Sequence, residues 1–172
     1  MKVYGGESSA GASSKPERIK VGIAEYDVTK NGAVLTTSGL GSCIGVAIHD
    51  ETAPVSGLVH VMLPSAEEMD DDNPAKFADT GVETLIDELE AAGGDRANMI
   101  AKIAGGSDML DFSESGSGIG QRNVEQVKAT LDTYDIPLVG EDVGGDHGRS
   151  LRFEGTSGDL IVKSANKDAQ TL

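Results

Sequence analysis

The chain has 172 residues, enough for one globular domain that buries about two-thirds of its unfolded surface without disulfide or metal staples. Its 29 acidic residues against 14 basic ones give a formal charge of −15, which repels phosphate backbones and argues against a nucleic-acid partner. One cysteine excludes an internal disulfide, and no run approaches the roughly 20 apolar residues that span a bilayer, so a cytoplasmic protein without membrane insertion is expected. Acidity of this degree, with abundant Ala and Gly and no Trp, is the composition of a salt-rich cytosol, where screening makes crowded carboxylates tolerable.

Residues 1–17 mix Gly, Ser and Ala without apolar periodicity and read as a disordered arm; residues 164–172 read as a flexible tail, leaving one domain over 18–163. Ile19, Val21 and Ile23 alternate with Lys20 and Gly22, the period of a half-buried strand. Val34 to Thr37 and Cys43 to Ile48 are further β-prone runs, separated by the turn Ser38-Gly39-Leu40-Gly41-Ser42. A loop around Pro54 precedes a strand from Leu58 to Leu63 that Pro64 ends, so these runs are expected to be consecutive neighbours. His49, beside Asp50 at a strand end, reads as a surface residue.

The acidic stretch 67–73 reads as a solvated loop, and its run Asp70-Asp71-Asp72 does not converge on one ion. Asn73 and Pro74 start a helix whose buried face is Phe77, Gly81, Val82, Leu85, Ile86 and Leu89, ended by Gly93-Gly94. A strand from Met99 to Ala104 and the turn Gly105-Gly106 lead to a second helix after Gly120, with Val124, Val127 and Leu131 at helical spacing. A strand from Ile136 to Val139 and a hairpin of Ser150–Phe153 with Leu160–Lys163 complete the domain. The first three strands have no helices between them, which favours an α+β domain with mixed sheets over a doubly wound one. Gly116 to Gly120 lacks both the preceding strand and the Lys of a phosphate-binding loop, so ATP and dinucleotides are excluded. His147, near Asp142 and Asp146, has no further His or Cys to complete a metal set, and no metal or cofactor is expected. Arg122 and Asn123 read as the border of a partner surface.

The chemistry concentrates at Cys43. A cysteine directly after a Gly-rich turn and opening a strand can leave its N–H outside the ladder and its thiol exposed; that N–H, with another from the turn, can hold an acyl oxyanion. His60 lies in the otherwise apolar run Leu58-Val59-His60-Val61-Met62 and needs a partner. If that partner is Cys43, the two can share a proton as thiolate and imidazolium, lowering the thiol from its usual value. Thr37 ends the adjoining strand, where its hydroxyl can orient the imidazole; Thr36 competes for the role. Each residue also has a plain structural reading: a small core cysteine, a core histidine bonded to a carbonyl, a strand threonine.

Taken together, Thr37-Ser38-Gly39-Leu40-Gly41-Ser42-Cys43 and Gly57-Leu58-Val59-His60-Val61-Met62-Leu63-Pro64 resemble the double signature of the CheD family, the chemoreceptor glutamine deamidases. Lys102 to Gly106, Ile119 to Val124 and Glu141 to Arg149 resemble further family segments in the same order, so the likeness covers about Val21 to Lys163. It implies Cys43 as nucleophile, His60 as general base and acid, and Thr37 as the residue orienting His60. It also implies an α+β sandwich of mixed sheets with outer helices, like the catalytic domain of cytotoxic necrotizing factor toxins. The implied activity is that of a protein-glutamine glutaminase without cofactor, acting on chemoreceptor cytoplasmic domains. The implied partners are a CheC-type phosphatase and other chemotaxis adaptors. His147 departs from the pattern without touching the catalytic positions. Alternatives are a binding module for a CheC-type phosphatase or another adaptor, and a cysteine protease or transamidase.

Overall fold

The β-prone runs and the two amphipathic helices assemble in three layers. The computed structural model describes residues 17–68, 70–108, 118–165 and 167–172. One sheet has the order β1 (Arg18–Lys20), β3 (Val34–Leu40), β8 (Arg149–Glu154), β9 (Leu160–Ser164) and β10 (Gln170–Thr171). The other has the order β2 (Tyr26–Thr29), β5 (Val55–Val61), β4 (Ile44–Asp50), β6 (Ile100–Gly105) and β7 (Leu138–Val143). Both sheets are mixed: β1 runs parallel to β3 and β6 to β7, and the remaining pairs are antiparallel.

Helices α1 (Ala78–Ala91) and α2 (Ile119–Thr133) cover one face of the second sheet, packing Leu85, Ile86, Val127 and Leu131 over Ile44, Val46, Val59 and Val61. The opposite face meets the first sheet, where Ala47, Leu58 and Ala104 pack against Leu35, Leu151, Phe153 and Val162. Burying each of the large side chains among these contributes about 1.5–3 kcal/mol. This is the mixed-sheet α+β domain that the element order predicts, in the sandwich form with outer helices that the family resemblance implies. Strands β4 and β5 are buried along their whole length, so any polar side chain on them must find its partner inside the protein.

Several expectations shift. Ile23 is 56% exposed, because a turn with Ala24 at φ 60° and a Gly22 N–H bond to Glu25 ends β1 early. The following strand, β2, carries too little apolar alternation to stand out. The run at Val34 continues through Ser38 and Gly39 to Leu40 as a bulged strand, and the Gly-rich segment after it carries the chain across to the other sheet. β3 and β4 are therefore not neighbours, whereas β4 and β5 are. Asn73 caps a short 3-10 turn, Pro74–Lys76, and α1 begins after it. Ile136 is buried with the α2 core cluster, so β7 starts two residues later. His49 is 3% exposed and not on the surface, since β4 continues through it to a buried Asp50. Part of the expected C-terminal tail is ordered: Gln170–Thr171 pairs with β9 and the Leu172 N–H donates to the Leu160 carbonyl. Residues 1–16 of the expected arm, and Gly116 and Ser117, lie outside the described residues.

Candidate active site

The period of two along β5 places His60 with Leu58 on the face toward the other sheet. There the Thr37 hydroxyl, on β3 across the sandwich, lies 2.8 Å from His60 Nδ1. Both side chains are buried, and His60 Nε2 has no partner among the described residues. In the β4–β5 register His60 stands opposite Gly45, where a Cβ would run into Leu151. The Leu151 side chain occupies the room that a side chain at position 45 would need.

Cys43 precedes Gly45 by two positions and packs against the same inter-sheet cluster. Extending the register by one residue sets it opposite Met62, hence diagonal to His60 on one face, a spacing of roughly 7–8 Å between the two positions. The Cys43 thiol and His60 Nε2 are not hydrogen-bonded to each other here. Cys43 is only partly buried, whereas His60 is fully buried. The structure thus brings Thr37, Cys43 and His60 to one end of the inter-sheet space. Thr36, the competing threonine, is half-buried on the alternate face of β3 and makes no hydrogen bond to His60; a cleft lined by Arg18, Arg152 and Lys163 borders both threonines.

Three successive carbonyls of the turn are held. The Gly41 carbonyl accepts from Ser107 N–H, that of Ser42 from Asn123 Nδ2 at 2.8 Å, and that of Cys43 from Gly106 N–H. Gly105 is required here, because it sits at φ 120° and any Cβ would strike the Cys43 carbonyl. Behind the turn, Arg149 is 4% exposed and donates to Asp142, to the Gly105 carbonyl and to the Ser107 hydroxyl, tying the loops 105–107 and 142–149 together. Asn123 and Arg149 are the supports that residue-by-residue reading misses. Asn123 is fully buried, not at a partner surface.

Burial dominates the electrostatics. It pulls His60 down to about 4 and pushes the Cys43 thiol up, an effect that the cysteine's own backbone N–H partly offsets. Both shifts favour the neutral forms, against the expected thiolate–imidazolium pair, because each charge would be taken out of water. Asp71 of the acidic run is paired with Lys76 at 2.8 Å, and among the described residues no group of acidic, His and Cys side chains converges as a metal site. No helix among them is long and apolar enough to cross a membrane.

A family model described as CheD chemotactic sensory transduction matches residues 62–164. A protein of Haloarcula marismortui named probable chemoreceptor glutamine deamidase CheD is 61% identical over the full length of both chains. A Natronomonas pharaonis protein of the same name is 45% identical, covering 93% of this chain and 96% of its own. The crystal structure of Neisseria meningitidis protein NMB0706, a DUF152 family protein, shares the fold at 10% identity, with a TM-score of 0.53 over 76% of this chain and 65% of that one. A family model covering more than half of the chain, and relatives aligned across the Gly-rich turn and the histidine strand, establish that this chain belongs to the CheD family.

Proposed function

We propose that the chain is a protein-glutamine deamidase acting on chemoreceptors, with Cys43 as nucleophile, His60 as general base and acid, and Thr37 as the residue that orients His60. The observation carrying this reading is the 2.8 Å contact between Thr37 Oγ1 and His60 Nδ1, which leaves Nε2 as the uncommitted ring nitrogen on the face that Cys43 shares. In the tautomer with the proton on Nδ1, that N–H donates to Thr37 and Nε2 keeps its lone pair for the thiol proton. Because the imidazole stays neutral down to about pH 4, it is in the basic form throughout the neutral range.

The thiol proton passes to His60 as Cys43 Sγ attacks the side-chain amide carbon of a receptor glutamine, giving a tetrahedral oxyanion held by backbone N–H groups. The C–N bond then breaks, His60 returns the proton to the departing ammonia, and a thioester remains. Water, deprotonated by the same imidazole, adds to the thioester carbon; the C–S bond breaks, and glutamate and the free thiol result. Each turnover adds one negative charge to the receptor. The test is mass spectrometry of a chemoreceptor cytoplasmic fragment incubated with the chain. The expected result is the mass increase for NH2 replaced by OH at glutamine, absent with Cys43→Ala; equal deamidation by both would remove the nucleophile assignment.

The resemblance also implies docking to a CheC-type phosphatase or another chemotaxis adaptor. A Cys43→Ala chain that still binds such a partner while failing to deamidate would separate the two roles.

A further inference from the structure

Asn123 stands in the first turns of α2, whose buried side it shares with Gly120, Val124, Val127, Thr130 and Leu131. Its carboxamide is fully buried and spends both protons across two strands, Nδ2 donating to the Ser42 carbonyl at 2.8 Å and to the Met62 carbonyl at 2.9 Å. Those residues adjoin Cys43 and lie two positions from His60. The clamp thus closes the β4–β5 pair where its ladder ends.

The Ser42 carbonyl belongs to the same peptide group as the Cys43 N–H. A trans peptide is planar, with its C=O and N–H pointing in opposite directions. Holding the Ser42 oxygen toward α2 therefore aims the Cys43 N–H away from α2. Among the described residues no backbone carbonyl accepts from that N–H, so it is free to donate to a substrate oxygen. The neighbouring carbonyls of Gly41 and Cys43 are held by Ser107 and Gly106, which leaves the Ser42 oxygen as the contact that fixes this one peptide plane.

We infer that Asn123 is a positioning residue for the deamidation: by fixing the Ser42–Cys43 peptide plane it aims the Cys43 N–H at the oxyanion of the acyl-transfer step. This rests on the nucleophile assignment above. It makes a distinction between two reactions of one thiol. Alkylation by iodoacetamide is a direct displacement that develops no tetrahedral oxyanion, so it needs the thiol but not the aimed N–H. Deamidation needs both.

The experiment compares wild type with Asn123→Asp, which keeps the shape but loses donors, and Asn123→Ser, which keeps one donor in a smaller volume. Each is measured for melting temperature, receptor-fragment deamidation and the rate of Cys43 alkylation, with Cys43→Ala alongside. The expected result, in whichever variant melts like wild type, is a kcat lowered about 10²-fold, the scale of one lost oxyanion donor, with KM and alkylation changed less than about threefold. Deamidation and alkylation falling together, or both variants failing to fold, would make Asn123 structural only and overturn the inference. Wild-type kcat in a folded variant, with Cys43→Ala inactive, overturns it alone. Activity retained by Cys43→Ala instead overturns the nucleophile reading on which it stands.

Discussion

His49 and His60 occupy neighbouring strands, β4 and β5, on the same inter-sheet face, and their immediate partners are near copies. His60 Nδ1 lies 2.8 Å from the Thr37 hydroxyl, and His49 Nδ1 lies 2.6 Å from the Ser56 hydroxyl. Each Nε2 is buried without a partner among the described residues, and burial pulls both rings below the ordinary histidine value. They part at the next contact outward. Ser56 donates onward to the Gly155 carbonyl at 3.2 Å, and His49 meets Phe153 edge-on at 6.3 Å, with Gly158 closing over its ring. His60 instead has Gly45 opposite it and a partly exposed cysteine diagonal to it. A hydroxyl–imidazole pair is thus a structural unit in this fold. On the proposed reading, chemistry requires a nucleophile on the same face, and of the two pairs His60 is the one with a cysteine diagonal to it.

The comparison breaks most sharply at the thiol. Cys43→Ala is expected to lose deamidation entirely and His60→Ala to lose several orders of magnitude, while His49→Gln keeps kcat within about threefold of wild type and lowers the melting temperature. Kinetics on a receptor fragment with parallel thermal melts check this. An inactive but folded His49→Gln would mean that the two histidines work as one system.

The hydroxyls come next. Thr37→Ala is expected to lower kcat by roughly 10–100-fold, because the imidazole keeps its place but loses the partner that fixes its tautomer. Ser56→Ala removes the chemically equivalent partner from His49 and should leave kcat unchanged. If the two substitutions have equal effects on kcat, the Thr37 contact orients nothing.

The reasons one histidine is legible in the sequence and the other is not are physical. His60 interrupts an apolar run on a strand bounded by Pro64, so burial and the need for a partner follow from period two alone. His49 reads as a surface residue because Asp50 follows it. That acid, however, is the anchor of the turn: its carboxylate accepts from Thr52 N–H, the Thr52 hydroxyl and Asp95 N–H, and it is 1% exposed. A buried turn-capping carboxylate and a solvated one look alike in sequence. Asn123 had a detectable signal, its position three residues after Gly120 and four before Val127 on the apolar face of α2. Arg149 had none, since two of its contacts are with the loop 105–107, some 40 residues upstream. The α+β order is legible because its helices are amphipathic and its central strands are apolar. The crossing from β3 to the other sheet is not, because Gly-rich segments serve hairpins and crossings equally.

Acidification sharpens the comparison on stability. Both folded rings resist protonation, whereas the unfolded chain takes up protons near pH 6.5, so their contribution is present above that pH and is lost as pH falls. For His60 the loss grows to about 3 kcal/mol by pH 4. Urea unfolding between these pH values should show a shallower fall for His60→Gln than for wild type, and His49→Gln should remove a share of its own. Parallel curves for wild type and His60→Gln would mean that the ring is not buried in its neutral form.

The smallest expected effect is that of salt on the chemical step. The charge of −15 is self-repulsive, and its reach grows from about 3 Å at 1 M salt to about 10 Å at 0.1 M, so dilution should unfold the chain. His60 does not feel this directly, because it is enclosed between the sheets with a neutral hydroxyl as its partner and burial alone sets its shift, whereas Glu51, Lys102 and Asp50 also act on His49. Circular dichroism and receptor deamidation over one salt series should therefore fall together. The rate per folded molecule should change less than about twofold, and the ratio of His49→Gln to wild-type activity should stay constant. A fold equally stable at both ends of the series would sink the salt-adapted reading. A per-molecule rate that declines before the ellipticity would show that an ionic form of the Cys43–His60 pair, not the neutral one, carries the reaction.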